Sequence, residues 1–280
     1  MSGQANLNLH RKSFVAVLLV LVWTLFSEAW LETRLIGNGQ SIEHAGFYAK
    51  LLILPITLGL VWMVISQTNT RPINLFSERT PGAPMIASAI MIGLLLRVAW
   101  WAQLTARISF GITSSSDPDV REDFAATFLC PDWHLLVLAG LVWIIWVPVT
   151  EEFVHRGVIQ GALSRKGPYF AIFTSSLLFA LVHKPDNFVW VFIVGVVLGL
   201  LYWTTRSIWV PIVSHATYDG LIILDDLCLQ LNWNPSKDNL PMLAQGLSAL
   251  LIVGGCMLSI ILLICSVRAG RGSSPDPDRS

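Results

Sequence analysis

Residues 147 to 157 read VPVTEEFVHRG, placing two glutamates, a histidine and an arginine directly after LLVLAGLVWIIWVPV, a run suited to lipid. Ionisable groups in such segments are costly and mark function by default. Two further clusters follow, Phe179 and His183 in FALVH, then His215 and Asp219 in HATYD. A carboxylate beside two imidazoles in a water-poor cavity is suited to activating water. Glu151 would take the proton while a histidine or a bound metal polarises the target carbonyl. The spacing is unlike HExxH, where ligands and base share one helix, so any metal site here is assembled by tertiary packing.

Spacing divides the roles. Glu152 and Arg156 are four apart on one helical face, an arrangement that neutralises itself in a dry setting. Glu151 points about 100° away, on the face of His155 and Val158. Glu152–Arg156 is therefore expected to be structural support, with Glu151 free for chemistry. His155 alone reads as a lipid- or water-facing residue without a role. His215 and Asp219 also lie four apart and share a face, with Asp219 orienting His215 or contributing a hydrogen bond itself. Each piece has a plainer reading, as a structural ion pair or an interhelical hydrogen bond. Convergence at one depth weakens the plainer readings.

The elements that must position these groups follow from the apolar runs. The 280 residues are 54% hydrophobic and 13% charged, with a mean hydropathy of +0.63. Soluble domains carry roughly twice that charged fraction, so the composition indicates an all-α polytopic membrane protein. Lys+Arg and Asp+Glu balance at 18 each, which gives no sign of a nucleic-acid partner. Runs near the 20 residues a span needs fall at 13–31, 47–66, 84–106, 133–163, 168–184, 187–205, 207–224 and 243–267, about eight transmembrane helices. The first also resembles a signal peptide ending at Ser27–Ala29, although apolar character continues to Leu31. Pro148 removes a backbone hydrogen bond beside the glutamates, and Pro185 predicts that the fifth helix stops near Lys184. Counted from the turn at Arg165–Gly167, Glu151 lies roughly 21 Å back and His183 roughly 25 Å forward. His215 and Asp219 fall roughly 13 to 20 Å beyond Arg206–Ser207, so three helices present polar groups to one cavity.

Lys and Arg collect on alternate loops, which with eight helices places both termini in the cytoplasm. The acidic loop 107–132 falls on the other side, as do Cys130 and Cys228, which would either pair in an oxidising compartment or stay free. Four regions follow: 1–132, three helices with the acidic loop; 133–224, the helices with the chemistry; 225–268, a loop and the last helix; and 269–280, a disordered tail.

These motifs resemble a known family. EEFVHR fits EExxxR, FALVH fits FxxxH, and HATYD fits HxxxB with B an Asn or Asp, in the order found in CPBP (Abi) family intramembrane proteases. That family includes the type II CAAX prenyl endopeptidases. The length and helix pattern also suit the CAAX prenyl protease-related group that accompanies exosortase systems. The resemblance implies that Glu151 activates water with help from His183, that His215 and Asp219 stabilise the oxyanion, and that Glu152 and Arg156 support the site. It leaves metal use open between Zn2+ held by His183 and His215 and a glutamate-dependent mechanism. One departure stands out, because the prenyl endopeptidases usually carry Asn at the position of Asp219, and a carboxylate donates no hydrogen bond unless protonated. The function implied is cleavage of a membrane-anchored protein or peptide in the bilayer of a bacterial inner (cell) membrane. The rivals are an ion-coupled transporter, for which no repeat of the Glu–Glu–Arg cluster is present, and a non-catalytic immunity or scaffold protein.

Overall fold

The computed structural model describes residues 11–68, 80–112, 127–128, 133–224, 229–230 and 242–272. Eight helices fill nearly all of these. They are α1 (Arg11–Gly37), α2 (Ile42–Ser66), α3 (Ala83–Ser109), α4 (Trp133–Lys166, with local changes of pitch), α5 (Pro168–Leu181), α6 (Phe188–Thr205), α7 (Trp209–Ile223) and α8 (Met242–Gly272). A two-residue antiparallel bridge joins β1 (Thr127–Phe128) to β2 (Leu229–Gln230). The protein is an all-α integral membrane protein, because with no water in the bilayer core a helix must satisfy its own backbone.

Local chemistry sets the boundaries. The Ser41 side chain accepts a hydrogen bond from the His44 amide at the start of α2. Proline stands in the first turn of α3 and α5, where its missing N–H costs nothing. Gly167, at φ 104°, makes the reversal from α4 into α5. Arg206 ends α6 in a left-handed conformation, with its guanidinium over the Trp203 ring.

Among the described residues, six helices are long and apolar enough to cross a membrane: α1, α2, α3, α4, α6 with its preceding turn, and α8. The two shorter ones, α5 with 14 residues and α7 with 15, carry the FALVH and HATYD motifs. Helix α5 stops at Leu181, ahead of Lys184–Pro185. Helix α8 corrects one expectation. It runs through Gly272, four residues into the stretch read as a disordered tail. Helical hydrogen bonding continues there because Pro275, the first strong breaker, lies farther on. The tail beyond Gly272, and Cys130 and Cys228, lie outside the described residues.

Helix α4 is irregular where the motif sits. Wide π-type turns span Gly140–Trp146 and Phe153–Gln160, on either side of Val147–Glu152. Pro148 accounts for the first, since its ring would collide with the carbonyl one α-turn back and it offers no N–H to that carbonyl. Such turns are rare and frequently occur at functional sites.

Two apolar clusters hold the bundle. One joins α3, α6, α7 and α8 through Leu96, Leu198, Leu201, Val210 and Ile260. The other joins α1, α2, α4 and the start of α7 through Val17, Val61, Phe153, Ile159 and Ile212. Helices α4 and α7 pass between them, so the polar residues occupy the seam. Exposed side chains such as Phe26, Leu251 and Leu262 face outward, as they do toward lipid.

Helices α3 and α7 touch at their backbones. A Cβ added to Gly93 would lie 2.5 Å from the Ser214 carbonyl oxygen and 2.8 Å from the Thr217 Cβ. Neither obstacle is a flexible side-chain end, so the two helices must part to admit a methyl group. Gly93→Ala is therefore expected to destabilise the protein by about 1–3 kcal/mol, the usual range for overpacking. Thermal unfolding in detergent measures it, and an unchanged midpoint would contradict the close approach.

Candidate active site

The seam is held by a chain of buried polar contacts. Arg156 Nε donates to Glu152 Oε2 at 3.0 Å, and both side chains are fully buried. Arg156 Nη1 donates to Ser175 Oγ at 3.2 Å, and Ser175 in turn donates to the His155 carbonyl at 2.7 Å. Helix α5 is thus fastened to α4 through the arginine. The other oxygen of Glu152, Oε1, lies 3.0 Å from His215 Nδ1, which fastens α7 to the same carboxylate. Glu152 thus bonds both Arg156 and His215, the second a contact the sequence offered to Asp219.

With Nδ1 donating to Glu152, the other ring nitrogen of His215 faces two acids. Nε2 is 3.4 Å from Asp219 Oδ2 and 3.9 Å from Glu151 Oε2. Both of those oxygens are buried without a hydrogen-bond partner among the described residues. The Glu151 side chain as a whole keeps 21% exposure, whereas Glu152 keeps none. Adjacent glutamates thus have opposite situations. One is saturated by Arg156 and His215, and the other presents a bare oxygen.

His183 stands just past the end of α5. Its Nδ1 donates to the Phe179 carbonyl at 2.7 Å, which leaves Nε2 as the lone-pair nitrogen of the neutral ring. Among the described residues it makes no direct polar contact with Glu151 or His215. The Phe179 ring connects the groups instead, with centroids 4.7 Å from His183, 5.2 Å from His155 and 6.0 Å from His215, and with the Arg156 guanidinium 5.1 Å away. Gly195 on α6 lets this ring approach, since an added Cβ would meet Phe179 at 3.3 Å and Ser176 at 3.1 Å.

His155 corrects a second expectation. It is 1% exposed, packed edge-on against Phe179, and faces neither lipid nor water. The wide turn from Phe153 to Gln160 alters the angle per residue, so a face counted at 100° does not apply there. Two features escaped the motif reading. Ser175 gives no sequence signal beyond being polar in an apolar run. Arg97 in MIGLLLRVAW is a lone ionisable residue in a span, a signal that was present. It is 5% exposed and stacked against Trp100, Trp101 and Tyr218.

Zn2+ on His183 and His215 calls for further donors. Among the described residues no group of three or more His, Cys, Asp or Glu side chains is arranged to hold a metal ion. The Nδ1 atoms of both histidines are engaged by protein acceptors, which leaves Nε2 of each as the nitrogen a metal would take. The two imidazoles thus lack, among the described residues, the further protein donors that a closed metal site has.

Removing Glu152 would leave Arg156 buried beside Ser175 and release His215. Glu152→Ala is expected to cost about 3–5 kcal/mol, the usual consequence of stranding one member of a buried pair. Yield and thermal midpoint in detergent read this loss, and normal values would refute the assigned support role.

Residues 133–221 match the family model described as type II CAAX prenyl endopeptidase Rce1-like. All three motifs lie inside that stretch. The chain is 31% identical over 113 residues to "Putative membrane peptidase YdiL" of Bacillus subtilis (strain 168), covering 40% of this chain and 43% of the relative. It is 36% identical over 88 residues to "Membrane-embedded CAAX protease MroQ" of Staphylococcus aureus (strain USA300), covering 29% of this chain and 36% of the relative. The chain thus spans less than half the length of these curated relatives. No solved structure matches it significantly.

Proposed function

We propose that the stretch 133–221, which the Rce1-like model matches, makes this protein an intramembrane endopeptidase acting on a membrane-anchored protein or peptide. The observation that carries the reading is a pair of carboxylate oxygens without a hydrogen bond among the described residues, Glu151 Oε2 and Asp219 Oδ2, both beside His215 Nε2. A water there finds an acceptor for its proton in Glu151. Nothing comparable serves a structural ion pair, which would leave no acceptor bare.

Each residue's part follows from its contacts. Glu151 removes a proton from water as the oxygen attacks the scissile carbonyl, and returns it to the leaving amine. His183, with Nδ1 held by the Phe179 carbonyl, offers Nε2 to the second water hydrogen. His215 donates from Nδ1 to Glu152, so Nε2 satisfies its two acidic neighbours only when it also carries a proton. In that form it is a charged donor to the oxyanion. Asp219 Oδ2, 3.4 Å from that Nε2, lies where it favours the charged imidazole. The Rce1-like match and the names of both relatives support membrane proteolysis as the activity.

The compartment is the bacterial cell membrane with both termini cytoplasmic, as the distribution of Lys and Arg indicates. The substrate class is a protein or peptide cut near its membrane anchor, by CAAX-type processing or protein-sorting maturation.

Comparing membrane-protein termini by mass spectrometry in cells expressing the wild type or Glu151→Gln tests the reading. New termini are expected only with the wild type, with the variant slowed about 10²–10⁴-fold, the range for a general base. Folded, abundant Glu151→Gln protein that yields the same termini would overturn it. Treating the purified enzyme with a zinc chelator separates the two mechanisms. Retained cleavage is expected for glutamate-dependent catalysis, and loss that added Zn2+ reverses would assign a metalloprotease.

A further inference from the structure

The site gathers three carboxylates, Glu151, Glu152 and Asp219, around one imidazole. Its guanidinium, Arg156, is committed to Glu152. With all three acids ionised and His215 counted as a cation, the cluster carries one negative charge in excess. A buried charge without compensation is among the most costly features a protein interior can hold.

A further cation stands on α3. Gly93 meets Ser214 and Thr217, and one turn later Arg97 meets Tyr218, with its guanidinium carbon 5.7 Å from that ring centroid. The two helices therefore run side by side in the same direction, and Arg97 arrives at the level of Asp219, the residue after Tyr218. Stacking at 4.5 Å from the Trp100 centroid and 5.5 Å from that of Trp101 holds the guanidinium there without water. Tyr218 is itself fixed by the Trp190 indole, which donates to its hydroxyl at 3.0 Å.

We infer that Arg97 is a positioning residue of the site, a third cation set on α3 against the excess of acids around His215. It lies outside all three motifs and outside the stretch the family model matches. A helix matched only by its hydrophobicity thus contributes to the charge balance of the chemistry. The inference builds on the site assignment of the proposed function, but its first test needs no substrate.

A thermal double-mutant cycle on the full-length protein in detergent compares wild type, Arg97→Gln, Asp219→Asn and the double variant. Arg97→Gln is expected to lower the unfolding midpoint by about 5 °C or more, and by at least about 2 °C less when Asp219 is already Asn. Equal losses in both backgrounds overturn the proposal and leave Arg97 as a packing residue for α3. Where Arg97→Gln alone fails to accumulate, the yield of the double variant decides. Recovery supports the inference, and continued failure overturns it. In the cleavage assay the folded Arg97→Gln variant is expected to lose kcat with KM unchanged, whereas a loss confined to KM would overturn the assignment. Because the thermal cycle requires no cleavage, its outcome is separable from that of the protease reading.

Discussion

The structure depends on one carboxylate. Glu152 receives Arg156 on one oxygen and His215 on the other, and Arg156 extends the chain to Ser175. Three helices are thereby pinned at one point inside an apolar bundle. Lipid offers no hydrophobic force between helices, so such polar contacts and close packing must set the geometry. The arrangement also spends Glu152 fully, and that leaves its neighbour available. Two identical side chains differ because one is saturated and the other is not.

The pitch of α4 makes this division feasible. Wide turns before and after Val147–Glu152 shift the side chains that follow, which turns His155 inward against Phe179. The Phe179 ring then fills the space among three imidazoles and a guanidinium. An aromatic ring serves well here, because its face accepts a cation while its bulk excludes water.

Much of this was legible before any coordinates. The apolar runs marked the helices within a few residues, since span length follows from bilayer thickness and little else. The i, i+4 spacing disclosed the Glu152–Arg156 pair, and the depth count brought Glu151, His215 and Asp219 to one level. The illegible parts have physical causes. Periodicity assumes a uniform helix, and the wide turns broke that assumption at His155. Which acid orients His215 depends on how α4 and α7 approach, which no spacing within either helix encodes. Ser175 and the Glu28–Lys50 ion pair between α1 and α2 are likewise tertiary facts. Arg97 was visible as a charge, but its neighbours on α7 were not.

The shortness of α5 reaches beyond the protein. Its 14 residues rise about 21 Å, against a hydrocarbon core near 30 Å. Tyr169, Phe173 and Leu181 on this helix are exposed at 86%, 55% and 61%, so its outer face meets acyl chains directly. The bilayer beside it must thin or admit headgroups, at a modest cost for each ångström of mismatch. A helix this short brings its end, where His183 stands, nearer the polar surface of a bilayer than a full-length span would.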